Sequence, residues 1–191
     1  MRTALFSCVA TLLIGGPLAC GSEETPPPSL EEGLPAASPA AAEQPLVSHE
    51  KLTAFLPEPP PEWRGEAPQG STTENETIRL STARRLYVKG DAEDAPTAII
   101  TILDSASNGS YFETAPADWK TNTENADGFD RRITLEGMPA FEHYDRKART
   151  GSLSVFVGGR YFVQVELTNL DPVHLRDWFK RIDSRGLAAL K

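Results

Sequence analysis

The chain has 191 residues, 19 Lys and Arg against 27 Asp and Glu, a net charge of -8 and 39% hydrophobic residues, the composition of a soluble globular protein of one domain or two small ones. That acidic balance argues against a protein that grips nucleic acid through its phosphates, because counterion release needs clustered Lys and Arg. Of its 16 prolines only Pro96, Pro116, Pro139 and Pro172 lie beyond residue 70, which separates an irregular N-terminal part from a folding body.

Residues 1–19 place Arg2 ahead of an apolar run from Ala4 to Ile14 that Gly15, Gly16 and Pro17 break, the layout of a secretory signal peptide. The run is roughly half of the ~20 residues that a membrane-spanning helix needs, so no permanent transmembrane anchor is expected from it. Both cysteines, Cys8 and Cys20, fall within the first 20 residues, and a mature chain starting at Cys20 forms no internal disulfide. From Gly21 to Glu50 the chain holds six Pro, six Glu and five Ala and not one Lys or Arg. Such a segment buries too little apolar surface to fold, so residues 20–50 are expected to be a disordered tether and residues 51–191 a single globular domain.

Lys51 to Gln69 mixes Leu52, Phe55, Leu56 and Trp63 with prolines and predicts an extended strap on the body. Thr77 to Val88 alternates, with Ile78, Leu80, Thr82, Leu86 and Val88 on the apolar parity of a half-buried strand. Thr97 to Leu103, rich in β-branched residues, predicts a central strand. Residues 111–128 predict a short helix or an ordered loop. Arg132 to Tyr144 predicts two strand pieces interrupted at Gly137-Met138-Pro139 by a bulge or bend. Leu153, Val155 and Val157, then Gly158-Gly159, then Tyr161, Val163, Val165 and Leu167 predict a β-hairpin. Asp171 as N-cap, Pro172 at the first helical position and the stripe Leu175, Trp178, Phe179, Ile182 predict one amphipathic helix that Gly186 stops. Together these elements predict an α+β fold: an antiparallel sheet with the C-terminal helix packed on one face.

Chemistry is sparse in this pattern. No Gly-x-Ser-x-Gly is present, and the three histidines are His49, His143 and His174. In a strand His143 and Asp145 share a face while Glu142 points to the other, and two ligands do not make a zinc site. Asp104 to Gly109 and Thr123 to Gly128 have calcium-loop residue types, but Ala115 and Thr134 stand where a bidentate Glu is needed, so turn chemistry explains them better. Arg146, Lys147 and Arg149 form a basic cluster that a solvated turn accounts for. No cofactor and no metal are expected.

Pro17-Leu18-Ala19-Cys20-Gly21 resembles the lipobox of bacterial lipoproteins, with Leu18 one place nearer the cysteine than is usual there. The resemblance implies that Cys20 is the lipidation site, that it carries palmitate and becomes the mature N-terminus, and that the membrane is a partner through it. Gly21, where an aspartate would mark inner-membrane retention, favours the outer membrane facing the periplasm. Leu56, Pro57, Trp63, Gly137 to Ala140, Gly151, Val157, Arg160, Val163 and Asp183 resemble uncharacterised bacterial lipoproteins and, more loosely, the PsbP-like α/β/α sandwich. That implies fold and export and leaves the ligand open. The functional expectation is a lipid-anchored cell-envelope protein with a non-enzymatic binding or scaffolding domain, set against an envelope hydrolase or metal-dependent enzyme using His143 and Asp145.

Overall fold

Alternating sequence builds most of this body, and every strand pairing among the described residues is antiparallel. The computed structural model describes residues 44–76, 78–106, 119 and 122–191. In chain order the elements are α1 (His49–Thr53), β1 (Trp63–Gly65), β2 (Gln69–Glu74), β3 (Arg79–Lys89), β4 (Thr97–Asp104), β5 (Thr123–Glu124), β6 (Gly128–Leu135), β7 (Met138–Asp145), β8 (Thr150–Val157), β9 (Tyr161–Thr168), α2 (Val173–Phe179) and α3 (Ser184–Ala189). The sheet runs β1-β3-β4-β9-β8-β7-β6-β5, with β2 sharing the outer edge of β3 with β1. The fold is therefore mostly antiparallel sheet with a few short helices, in keeping with the α+β class. None of the described helices is long and apolar enough to cross a membrane.

The β8–β9 hairpin follows its alternation. Leu153, Val155, Val157, Tyr161, Val163, Val165 and Leu167 are all buried, and Val157 pairs with Tyr161 across a three-residue loop, Gly158-Gly159-Arg160. β4 lies beside β9 in the middle of the sheet, and its Ala98, Ile100 and Ile102 share the face of Val163 and Val165.

That face decides the orientation of β3, against expectation. The register pairs Ala83 with Ile102 and Tyr87 with Ala98, so Ser81, Ala83 and Tyr87 are buried while Ile78 is 49% exposed and Leu80, Leu86 and Val88 are only half-buried. Apolar count on one parity loses here to the register with β4, because a strand cannot turn its own residues inward independently of its neighbour. The Tyr87 ring makes up the difference, and its hydroxyl donates to the Pro57 carbonyl at 2.7 Å, tying the strap to the sheet.

The expected bulge between β6 and β7 is a tight hairpin. Leu135 pairs with Met138, leaving Glu136 and Gly137 with φ of 52° and 84°, the left-handed pair whose twist matches flanking antiparallel strands. The expected single C-terminal helix is two. α2 stops at Phe179, and Asp183 caps α3 by accepting from the Gly186 amide at 2.9 Å, so Gly186 lies inside a helix rather than ending one. Asp171 makes no side-chain cap, and Pro172 takes the cap position. Leu175, Trp178, Phe179, Ile182 and Leu187 nevertheless belong to one buried cluster with Val155 and Val163. Burying each such side chain contributes about 1.5–3 kcal/mol.

The body also begins earlier than Lys51. Val47 is 2% exposed, and its amide donates to the Asp104 carboxylate at 2.8 Å. Limited proteolysis should therefore leave a resistant fragment that retains Val47, since cleavage follows local unfolding. A resistant fragment beginning at Lys51 or later would contradict this. The expectations for the signal and for the tether up to residue 43, and most of that for residues 111–128, lie outside the described residues.

Candidate functional site

Two buried carboxylates anchor the molecule. Asp104, at the end of β4, is fully buried and accepts from Arg160 Nε at 2.9 Å and Nη2 at 2.7 Å, and from the amides of Val47 and Ala106. Arg160 sits at the tip of the β8–β9 hairpin and also donates to Gln44 Oε1 and the Pro45 carbonyl. The pair thus clips residues 44–47 to the end of the sheet, and Asp104 has no oxygen left for calcium. The hydrogen bond that Arg160 donates to Asp104 raises the Arg160 pKa against the opposing effect of burial.

Glu142, on β7, is 1% exposed. Arg131 on β6 reaches Oε2 at 2.8 Å, and Arg176 on α2 reaches the same oxygen at 2.9 Å, so one carboxylate ties α2 to the sheet. Burial pushes the Glu142 carboxyl up, but the hydrogen bonds and charges of Arg176 and Arg131 together outweigh it and hold the group below its ordinary 4.5. A depressed folded-state pKa supplies stability that is present above the unfolded value and is lost as pH falls through the folded one. The melting temperature of the wild type should accordingly fall more steeply below about pH 4.5 than that of Glu142→Gln. Parallel profiles would show that the cluster carries no such linkage.

The predicted pair His143 and Asp145 does share a face of β7, but the two groups turn to different partners. His143 Nδ1 lies 2.7 Å from Asp130 Oδ1 at the surface, and Asp145 Oδ1 accepts from the Ala148 amide. A shallow depression of about 180 Å³ joins them to Asn125 and Asp127. Among the described residues no group of three or more His, Cys, Asp or Glu is placed to hold a metal. Asn125 Oδ1 accepts from the amides of Asp127 and Gly128, which is turn chemistry rather than ion binding. Two members of the basic cluster are committed to structure: Arg146 to Glu124 and to the carbonyls of Asn125 and Gly128, Arg149 to the Asn169 carbonyl.

A concavity of about 560 Å³ opens to solvent between the strap and α2. Its volume lies in the range of roughly 300–1,000 Å³ common to ligand pockets. It is lined by Pro60, Pro61, Glu62 and Trp63 of the strap, by His174, Asp177, Trp178, Lys180 and Arg181 of α2 and the turn after it, and by Lys89 and Leu170. Trp63 meets Trp178 edge to face at 4.9 Å, which fixes the half-buried Trp63 ring in the groove. Glu62 holds φ at 69°, a conformation that costs a non-glycine residue energy and that gathers at ligand sites. Its carboxylate pairs with Lys89 at 3.1 Å, and His174 lies 3.6 Å from Asp177. Lys180 and Arg181 make no ion pair among the described residues, and the Arg181 guanidinium lies 5.6 Å from the centre of the Trp178 ring.

The strap reading and the helical stripe place Trp63 and Trp178 against the body, as packing residues rather than as members of a site. They miss Lys89, Lys180 and Arg181, whose only sequence signal is an unremarkable charge on either side of an apolar stripe. Cys20 lies outside the described residues. No family model, no curated protein and no solved structure matches the chain.

Proposed function

We propose that the chain is a lipid-anchored cell-envelope protein, held through an acylated Cys20 to the outer membrane and facing the periplasm, whose body is a binding or scaffolding domain. The binding half rests on one observation: the groove between Pro60–Trp63 and α2, about 560 Å³, is lined by two tryptophans and by Lys180 and Arg181, which have no ion pair among the described residues. The anchoring half rests on the sequence, where Cys20 is the last cysteine and follows an apolar run and small residues. The finer architecture belongs to the same proposal. In it α2 and α3 cover one face of the sheet as in a PsbP-like sandwich, an arrangement supported by Leu175, Phe179 and Leu187 sharing a buried cluster with Val155 and Val163.

Labelling of cells with radioactive palmitate, compared between the wild type and Cys20→Ala, tests the anchor. The wild type should incorporate label and the variant should not. Equal labelling of both would remove Cys20 from the account.

A further inference from the structure

We infer that the Trp63–Trp178 groove takes a short acidic peptide segment of a partner protein, with carboxylates on Lys180 and Arg181 and an apolar side chain against Trp63. This inference rests on the groove reading above and adds to it the chemistry of the occupant. Charge complementarity carries it. The chain bears a net charge of -8, yet the groove sets three cations, Lys89, Lys180 and Arg181, against two carboxylates; Glu62 pairs with Lys89, Asp177 lies beside His174, and among the described residues Lys180 and Arg181 have no ion pair. Lys180 is the C-cap of α2 and Arg181 follows it in the turn, so the two are separate, exposed cations. They therefore suit two separate carboxylates along a chain better than one compact phosphate. The Trp63 ring lines the same groove, a flat apolar surface beside Pro60 and Pro61, whose rings stiffen that segment and present no amide donors. The left-handed backbone at Glu62 turns the chain at the point where the wall changes from proline to tryptophan.

The test uses three fluorescein-labelled pentapeptides of alternating pattern, Glu-Leu-Glu-Leu-Glu and its Gln and Lys counterparts, titrated by anisotropy with the detergent-solubilised full chain. The acidic probe should bind, and its affinity should weaken with added salt, as partly exposed charge pairs do. The double variant Lys180→Glu/Arg181→Glu, which changes two surface charges, should lose at least about tenfold in affinity. Trp63→Ala should weaken the same probe. Equal binding of the Gln probe, or no loss in the double variant, would overturn the acidic-peptide inference while leaving a ligand groove in place. Binding to phosphatidylglycerol vesicles through Lys180 and Arg181, with no peptide binding, would overturn it in favour of a lipid. No binding of any probe would overturn both this inference and the groove reading.

Discussion

Asp104→Ala should lower the unfolding free energy by about 3–5 kcal/mol, the range for removing one partner of a buried ion pair. The cost comes from what remains. The Arg160 side chain is 7% exposed and would keep only Gln44 Oε1 and the Pro45 carbonyl as acceptors, while the amides of Val47 and Ala106 would lose theirs. Because Asp104 sits at the end of a central strand, the loss should also release residues 44–47 from the sheet. Arg160→Met/Asp104→Ala should recover part of the stability, since it no longer buries an unpaired cation. Urea unfolding of the three proteins decides the matter. A loss below about 1 kcal/mol in the single variant, the scale of an exposed pair, would mean that the cluster is not buried as described.

Trp178→Ala should cost a similar amount, about 3–5 kcal/mol, the range for deleting a buried large aromatic side chain. Trp178 is 3% exposed, meets Trp63 at 4.9 Å and the Tyr87 ring at 4.6 Å, and lies in the same cluster as Leu175 and Phe179. A domain of this size has only about 5–15 kcal/mol in all, so the soluble yield should fall sharply. The competing view treats the α2 stripe as an exposed docking face. It predicts a melting temperature close to wild type together with a lost interaction, and thermal unfolding separates the two.

The parts of the fold legible in the sequence are those where one residue's surroundings are set by its near neighbours. The β8–β9 hairpin is such a case: seven apolar residues of one parity flank a pair of glycines, and the neighbouring strands only confirm the face they choose. β3 was not legible in the same way, because its face is dictated by the register with β4, and register is a property of two strands. The β6–β7 hairpin was obscured by Pro139, which suggested an interruption although it pairs with Thr134 within the ladder, while the signal for the turn, a lone Gly after a polar residue, is weak. In the C-terminal region the apolar stripe runs on through Ile182 across a break between two helices. The Asp183 cap that makes the break looks, in sequence, like any polar residue on the outer face.

The candidate site was less legible still. The groove gathers Pro60 to Trp63, Lys89, Leu170 and the far end of α2, segments far apart in sequence that the pairing of β1 with β3 and the burial of Trp178 help to bring together. The anchoring ion clusters are equally remote in sequence. Asp104 and Arg160 stand 56 residues apart, and Glu142 and Arg176 stand 34 apart. Their partners follow from strand order, which alternation alone does not supply.

The central claim is that the mature protein begins at a lipidated Cys20. Mass spectrometry of the N-terminal peptide from the purified, membrane-extracted protein tests it most directly. The account predicts a peptide that starts at Cys20 and carries a thioether-linked diacylglycerol. A peptide that starts at Met1, or at any residue after Cys20 without lipid, would contradict it.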